Sequence, residues 1–291
     1  MGRGRGFGCA VIARMLCGAL LALGGMPLAL ADNVEQPHDW QFGMLPAASP
    51  TRHHIDALHN ELLVLITLIT LFVLGLLVYT MWRFSAKRHP VPTKTTHNTL
   101  IEVTWTVVPV LILITIAVPS FKLMYYMDHA QKADMTLKVT GHQWYWSYEY
   151  PDQGDISFDS NMMDQAEAVK EGKPRLLEVD KPVVLPVNTV VRILVTGTDV
   201  FHSWFVPSMG VQEYAVVGRL NESWLSVDHE GTYYGQCNQI CGLNHPFMPI
   251  EIKAVSKEDF AKWVAQNKPA DDKKTSENIQ SPPRLVAAAA Q

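Results

Sequence analysis

Residues 62–82 read LLVLITLITLFVLGLLVYTMW, 21 positions without one charged side chain. A bilayer's hydrocarbon core is crossed by about 20 apolar residues in helical form, so this run is long enough to span it. A second run, WTVVPVLILITIAVPSF over residues 105–121, is extended beyond Lys122 by LMYYM. Pro109 and Pro119 inside it are tolerated in a membrane helix, because neighbouring helices and Ser or Thr side chains take up the freed backbone groups. Neither run has the polar face of a helix packed on a soluble core. The expected transmembrane helices are residues 62–82 and 102–127, joined by a loop over 83–101.

That loop sets the orientation. It carries Arg83, Lys87, Arg88 and Lys94, with no acid before Glu102. Basic loops stay cytoplasmic, which places residues 32–61 and everything after Asp128 outside. The N-terminus agrees. Arg3, Arg5 and Arg14 supply a positive start, Leu16 to Leu23 form a short apolar run, and Ala29-Leu30-Ala31 suits a signal peptidase. Residues 1–31 are therefore expected to be a signal peptide. The whole chain of 291 residues has a net charge of -4 and 18% charged residues. With a mean hydropathy of +0.04, that balance fits a membrane piece joined to a soluble domain and argues against nucleic acid as a partner.

From about Met135 the pattern becomes short and strand-like: MTLKVTGHQWYWSYEY, RLLEVDKPVVLPV, TVVRILVTGTDV, SWLSVD, GTYYGQC and PIEIKAV. Regular short strands between turn signals indicate an antiparallel sandwich or barrel, expected over residues 128–266. Lys257 to Gln266 suit a short amphipathic helix, and the polar, then Ala-rich residues 267–291 read as a disordered tail.

The chemistry is concentrated in GQCNQICGLNHPFM, residues 235–248. Cys237, Cys241, His245 and Met248 lie within twelve residues, on a loop bounded by strands. Soft thiolate and thioether ligands with imidazole select copper over hard cations. His202, at an earlier strand end, can complete the set, and two thiolates with two histidines suit two metals better than one. Three other readings compete: a Cys237–Cys241 disulfide, a structural zinc site and two buried structural thiols. The first leaves His245 and Met248 unexplained, the second lacks a second ligand pair, and the third leaves the C-x3-C-x3-H-x2-M spacing to chance.

At these residues the chain resembles subunit II of haem–copper cytochrome c oxidases over about residues 55–265. GHQWYWSYEY (141–150), SFDS (157–160), LLEVD (176–180) and DVFHSW (199–204) carry the resemblance, together with the Cys-rich loop. It implies a two-helix transmembrane hairpin followed by an all-β, cupredoxin-like Greek-key barrel in the bacterial inner membrane, with the barrel periplasmic. It also implies a binuclear copper A centre. Cys237 and Cys241 then match the bridging thiolates, His202 and His245 the terminal imidazoles, Met248 the weak axial ligand, and Gln239 the residue whose backbone carbonyl ligates the second copper.

The implied function is electron transfer from cytochrome c to haem in subunit I, alongside subunit III, in a proton-pumping enzyme that reduces oxygen to water. Trp144 matches the residue that accepts the electron, and Glu102 the mouth of a proton channel, although a carboxylate at a helix N-terminus is favourable in any case. Residues 141–180 hold nine acids against three bases, a concentrated charge that steers a cationic partner. The expected docking acids are Glu149, Asp152, Asp155, Asp159, Asp180 and Asp199.

Two departures stand out. The family has Glu at Gln239, where a carboxylate helps hold magnesium at the subunit I interface, and magnesium favours anionic oxygen. The stretch QEYAVVGR (212–219) also replaces the usual Lys-x-Asp-Ala-x-Pro-Gly-Arg. Two further functions fit parts of the chain: a copper-free structural subunit of a quinol oxidase and a periplasmic copper carrier. The intact ligand set opposes the first, and the two membrane helices with the tryptophan motif oppose the second.

Overall fold

The structure, a computed structural model, describes residues 34–128 and 132–269. The expected signal peptide and nearly all of the expected tail lie outside them. The architecture is that of the described residues from 35 onward.

Helix α1 spans Pro50–Arg83 and α2 spans Thr99–Asp128. Each contains an 18-residue window of high mean hydropathy, 2.9 and 2.2, with none of either window buried within the chain. Such surface is stable only in lipid or against other apolar helices. Thr67, Thr70, Thr80, Thr104, Thr106 and Thr115 each return their hydroxyl to the carbonyl four residues earlier, so these hydroxyls do not meet the hydrocarbon unpaired. α1 begins well before the uncharged run, because Ser49 caps Arg52 N–H and Pro50 occupies the first turn.

Two sheets follow. One runs in the order β3 (Ile156–Ser160), β2 (Tyr145–Tyr150), β1 (Met135–His142), β5 (Val191–Gly197), β8 (Asn221–Leu225). The other contains β4 (Val183–Pro186), β10 (Pro249–Val255), β9 (Gly231–Cys237), β6 (His202–Val206) and β7 (Val211–Ala215), hydrogen-bonded in that order. Alternation decides their inner faces. Val191, Ile193 and Val195 of β5 and Trp146, Tyr148 and Tyr150 of β2 are buried, and they join Trp204, Val206, Ile250 and Ile252 of the second sheet in one core. A short helix, α3 (Gln165–Lys170), follows β3, and α4 (Lys257–Asn267) lays Phe260, Trp263 and Val264 against the core.

The expected stretch 135–150 is two strands, turned at Gln143-Trp144, and RLLEVD is mostly turn, with Leu176 at φ 65 and a single bridge at Val179. Glu178 explains this. Its carboxylate is buried, where it accepts from Tyr234 Oη at 2.9 Å and pairs with Lys173 at 3.0 Å. Strand alternation cannot supply that geometry. Beside it Glu251 is 2% exposed, accepting from Val179 N–H. Burial, with the Glu178 charge adding, raises the Glu251 pKa above the usual carboxylate range.

The joint between α1 and the β domain is polar and buried. Arg52, 4% exposed, donates to the carbonyls of Pro207 and Leu45 at 3.0 Å each and pairs with Asp56. Ser49 Oγ donates to Met209 O at 2.6 Å, and Ala48 exchanges backbone bonds with Ser208 and Asp228. Gly210 completes the fit. It adopts φ +64, and a Cβ there would stand 2.7 Å from Ile55.

Two outcomes follow. Arg52→Leu strands two buried carbonyls and Asp56, so it should destabilise the joint by roughly 3 kcal/mol, read as faster proteolysis near residues 45–50. The raised pKa of Glu251 favours the fold below the unfolded value of about 4.3, and this contribution is lost as pH rises through the folded value. Glu251→Gln should therefore raise the melting temperature at pH 7, with the gain vanishing towards pH 4. An equal gain at both pH values would contradict it.

Candidate metal centre

The centre is built where β6 and β9 meet. Their antiparallel register sets Cys237 opposite Trp204 and Gln236 opposite Phe205, which brings His202, at the start of β6, beside the end of β9. Two glycines make the approach feasible. A Cβ at Gly235 would lie 2.1 Å from Phe205 O, and one at Gly141 would lie 3.0 Å from His202 Cδ2. The chain then loops through Cys241 and His245 and returns to β10 at Met248, whose carbonyl accepts from Cys237 N–H at 3.3 Å.

Cys237 Sγ lies 3.9 Å from Cys241 Sγ, 4.0 Å from His202 Nδ1 and 3.4 Å from Gln239 O. Cys241 Sγ lies 3.6 Å from both His245 Nδ1 and Met248 Sδ. His202, Cys237 and Cys241 form a compact metal-holding group, while His245, Met248 and the Gln239 carbonyl surround it. All six expected ligands thus converge. Cys237 and Cys241 are free thiols.

The donor chemistry fits a soft metal. With metal–thiolate bonds of about 2.3 Å, two sulfurs 3.9 Å apart can both touch the same ion. Burial opposes ionisation of Cys237, but hydrogen bonds from His202 and the backbone outweigh it and bring its pKa down to about 7. Burial and the neighbouring Cys237 charge push Cys241 up to about 12. One thiolate forms readily, and the second proton leaves when a cation replaces it.

Asp199 emerges in a role that its exposed-acid reading missed. It accepts from His202 Nε2 at 2.9 Å and from Gln143 N–H at 2.6 Å, fixing the ring so that Nδ1 faces the sulfurs. The D-x-x-H spacing of residues 199–202 was the available signal. Burial opposes ionisation of Asp199, but its bonds to His202, Val200 and Gln143 hold its pKa below the usual range.

Trp144 is half-buried and donates Nε1–H to Cys241 O at 3.3 Å, beside Gln143 Nε2 at 2.8 Å from the same oxygen. The indole thus touches the backbone of a candidate ligand. Trp146, the other tryptophan of the motif, is fully buried and donates to Met248 O.

The remaining acids are spread along the outer sheet and its turns, with Glu149, Asp152 and Asp155 towards the end of β2 away from Trp144. Asp159 is exposed and accepts from Ser147, which also bonds His142. Asp180 is exposed and accepts from Asn161, and Asp155 is exposed at the β2–β3 turn. Glu149 pairs with Lys138, and Asp152 accepts from Thr136 N–H, so these two are partly committed within the domain. Far from this centre, Glu102 accepts from Asn98 N–H while Asn98 Oδ1 accepts from Ile101 N–H, a reciprocal cap of α2.

Comparison with known proteins matches these features. Residues 135–255 match the family "Cytochrome C oxidase subunit II, periplasmic domain", and residues 37–123 match "Cytochrome C oxidase subunit II, transmembrane domain". A probable cytochrome c oxidase subunit 2 of Rickettsia bellii is 51% identical over 230 residues, covering 79% of this chain and 85% of the relative. Cytochrome c oxidase subunit 2 of Oenothera berteroana is 48% identical over 244 residues, covering 82% and 93%. The crystal structure of the periplasmic domain of subunit II of cytochrome oxidase of Bradyrhizobium japonicum is 48% identical, covering 48% of this chain and 97% of that one, with a TM-score of 0.45. Two apolar helices, a β domain with a His-Cys-Cys cluster, and half-identical relatives matched over most of their length lead to one conclusion: the chain belongs to the cytochrome c oxidase subunit II family, a component of an oxidoreductase complex.

Proposed function

We propose that this subunit receives electrons from cytochrome c through Trp144 and supplies them to haem in subunit I, within an inner-membrane complex that also contains subunit III, reduces oxygen to water and pumps protons. His202, Cys237, Cys241, His245, Met248 and the Gln239 carbonyl would hold two copper ions. A thiolate-bridged copper pair, when bound, shares a single electron and rearranges little on reduction.

The observation that carries this reading is the Trp144 Nε1 bond to Cys241 O. It joins a half-buried aromatic ring directly to the backbone of a bridging residue. Asp199 orients His202, and the surrounding core, with Trp146 and Met248 fully enclosed, keeps water from the sulfurs. Asp159, Asp180 and Asp155 present charge to an incoming basic protein, with Glu149, Asp152 and Asp199 contributing to the field. Glu102 is proposed to open a proton path of the large subunit. It borders a small cavity with Thr106, while its cap with Asn98 supports the stability of α2.

Magnesium is not assigned. Gln239 offers an amide and Tyr214 a phenol where the family places carboxylates, and hard cations favour anionic oxygen.

Two measurements test this function. Elemental analysis of the purified protein should return two coppers per chain, with a mixed-valence spin-resonance signal. Met248→Leu should keep both ions and shift the potential. A single copper, or a preference for zinc, would overturn the assignment. In flash-induced reduction at several ionic strengths, Asp159→Asn with Asp180→Asn should slow association and flatten its salt dependence, leaving transfer within the complex unchanged. Trp144→Phe should do the reverse, slowing the intracomplex step at least about tenfold, a barrier rise of ~1.4 kcal/mol. If it transfers as fast as wild type, Trp144 is only a packing residue.

A further inference from the structure

The outer ends of the two membrane helices enclose a cavity of about 390 Å³ that the electron-transfer reading does not use. Its roof is aromatic. His54 of α1 stacks on Tyr126 of α2 with ring centroids 4.7 Å apart, and Tyr126 meets Trp224 of the β domain edge-on at 5.4 Å. Below the roof the walls carry Pro119 and Leu123, with one acid from α1, Glu61, and one base from α2, Lys122.

These two charges stand at one level of the membrane. Glu61 immediately precedes the uncharged run 62–82, and Lys122 immediately follows the apolar run 105–121. Lys122 is the only base in α2, and Glu61 is the last charge in α1 before Arg83. Both side chains are exposed, and neither makes an ion pair or hydrogen bond among the described residues. A charged residue at the edge of the hydrocarbon extends its head into the interface, where lipid phosphate and ammonium groups are the available partners. Opposite charges lining one cavity without pairing leave room for a dipolar guest between them.

We propose that this cavity binds the headgroup of a zwitterionic phospholipid. Lys122 takes the phosphate and Glu61 the ammonium, while Leu123 and Pro119 receive the glycerol and upper acyl chains. The charge pair selects the guest. An anionic headgroup satisfies Lys122 but repels Glu61, whereas a zwitterionic one satisfies both. The cavity lies between α1 and α2, and its Tyr126 touches Trp224 of the β domain, so a lipid seated here braces the helix pair just below the joint. The inference rests on the membrane span and not on the metal centre.

Native mass spectrometry of the intact oxidase tests it, in nanodiscs of phosphatidylethanolamine and phosphatidylglycerol in equal amounts. The wild type should retain phosphatidylethanolamine in preference to phosphatidylglycerol. Lys122→Gln should lower its retention about tenfold, the scale for losing a hydrogen bond to a charged group, while Lys122→Arg should keep it. Glu61→Gln should reverse the preference towards phosphatidylglycerol. Unchanged retention in Lys122→Gln would mean that this lysine only reaches to the surface, and would overturn the proposal. So would retention blind to headgroup, or a partner subunit's helix filling the cavity in a structure of the assembled oxidase. Copper content serves as the independent readout, unchanged in every variant.

Discussion

The register between β6 and β9 is the constraint from which the rest of the β domain follows. Cys237 must face Trp204 for His202 to come within 4.0 Å of the Cys237 sulfur, and a shift of one residue would turn every side chain of that pair to the other face of the sheet. The register is held by backbone contact closer than any side chain permits, since Phe205 O occupies the space of a Cβ at Gly235. Trp146 and Trp204 then fill the core around it, and the soft donors end in a pocket that excludes water. A metal-holding cluster that joins His202 to Cys237, 35 positions away, is thus a by-product of sheet pairing, with the loop from Cys237 to Met248 adding the remaining donors.

Around the sulfurs, polar groups work through one another. Asp199 fixes His202, and the same carboxylate receives the Gln143 amide at the turn that presents Trp144. Gln143 and Trp144 both end on Cys241 O. The surface aromatic, the histidine and the thiol loop are therefore tied by a few short hydrogen bonds, and displacing one member disturbs the other two. Asp199 illustrates why a count of exposed acids overstates the charge free for docking. Of the expected docking acids, Asp159, Asp180 and Asp155 are exposed, while Glu149 is partly committed to Lys138.

The membrane piece is attached to this domain chiefly by a buried guanidinium that donates to two carbonyls and pairs with Asp56, with Ile55 seated on Gly210 beside it. Arg52 holds two carbonyls that would otherwise be orphaned at the top of α1. Such a joint is specific in direction, because a hydrogen-bonded fork allows one seating where an apolar patch allows many. It sets the angle at which the β domain stands on the helices. The α1–α2 cavity lies directly beneath, so the unpaired Glu61 and Lys122 and the paired Arg52 mark two successive layers, one facing lipid and the other facing the domain.

Much of this was legible from the residues alone. Uncharged runs, basic-loop asymmetry and the thiol–imidazole–thioether spacing each express a local physical requirement: hydrocarbon thickness, the positive-inside bias and ligand softness. Strands β5, β9 and β10 were legible for the same reason, since alternation or a short apolar run is a local signal. The rest depends on distant partners. RLLEVD reads like a strand but turns, because Glu178 is claimed by Tyr234 from a distant strand and by Lys173 just before it. HSWFV and VQEYA become strands β6 and β7 only by pairing with each other and with β9. Asp199 looked like one more surface acid until the fold set His202 Nε2 against it. The sequence by itself determined which atoms were available to bind a metal and how the chain crosses a membrane. Only the tertiary structure decided which carboxylate orients the histidine and which tryptophan of the motif is enclosed while the other stays half-buried, because both depend on register and burial between strands far apart in the chain.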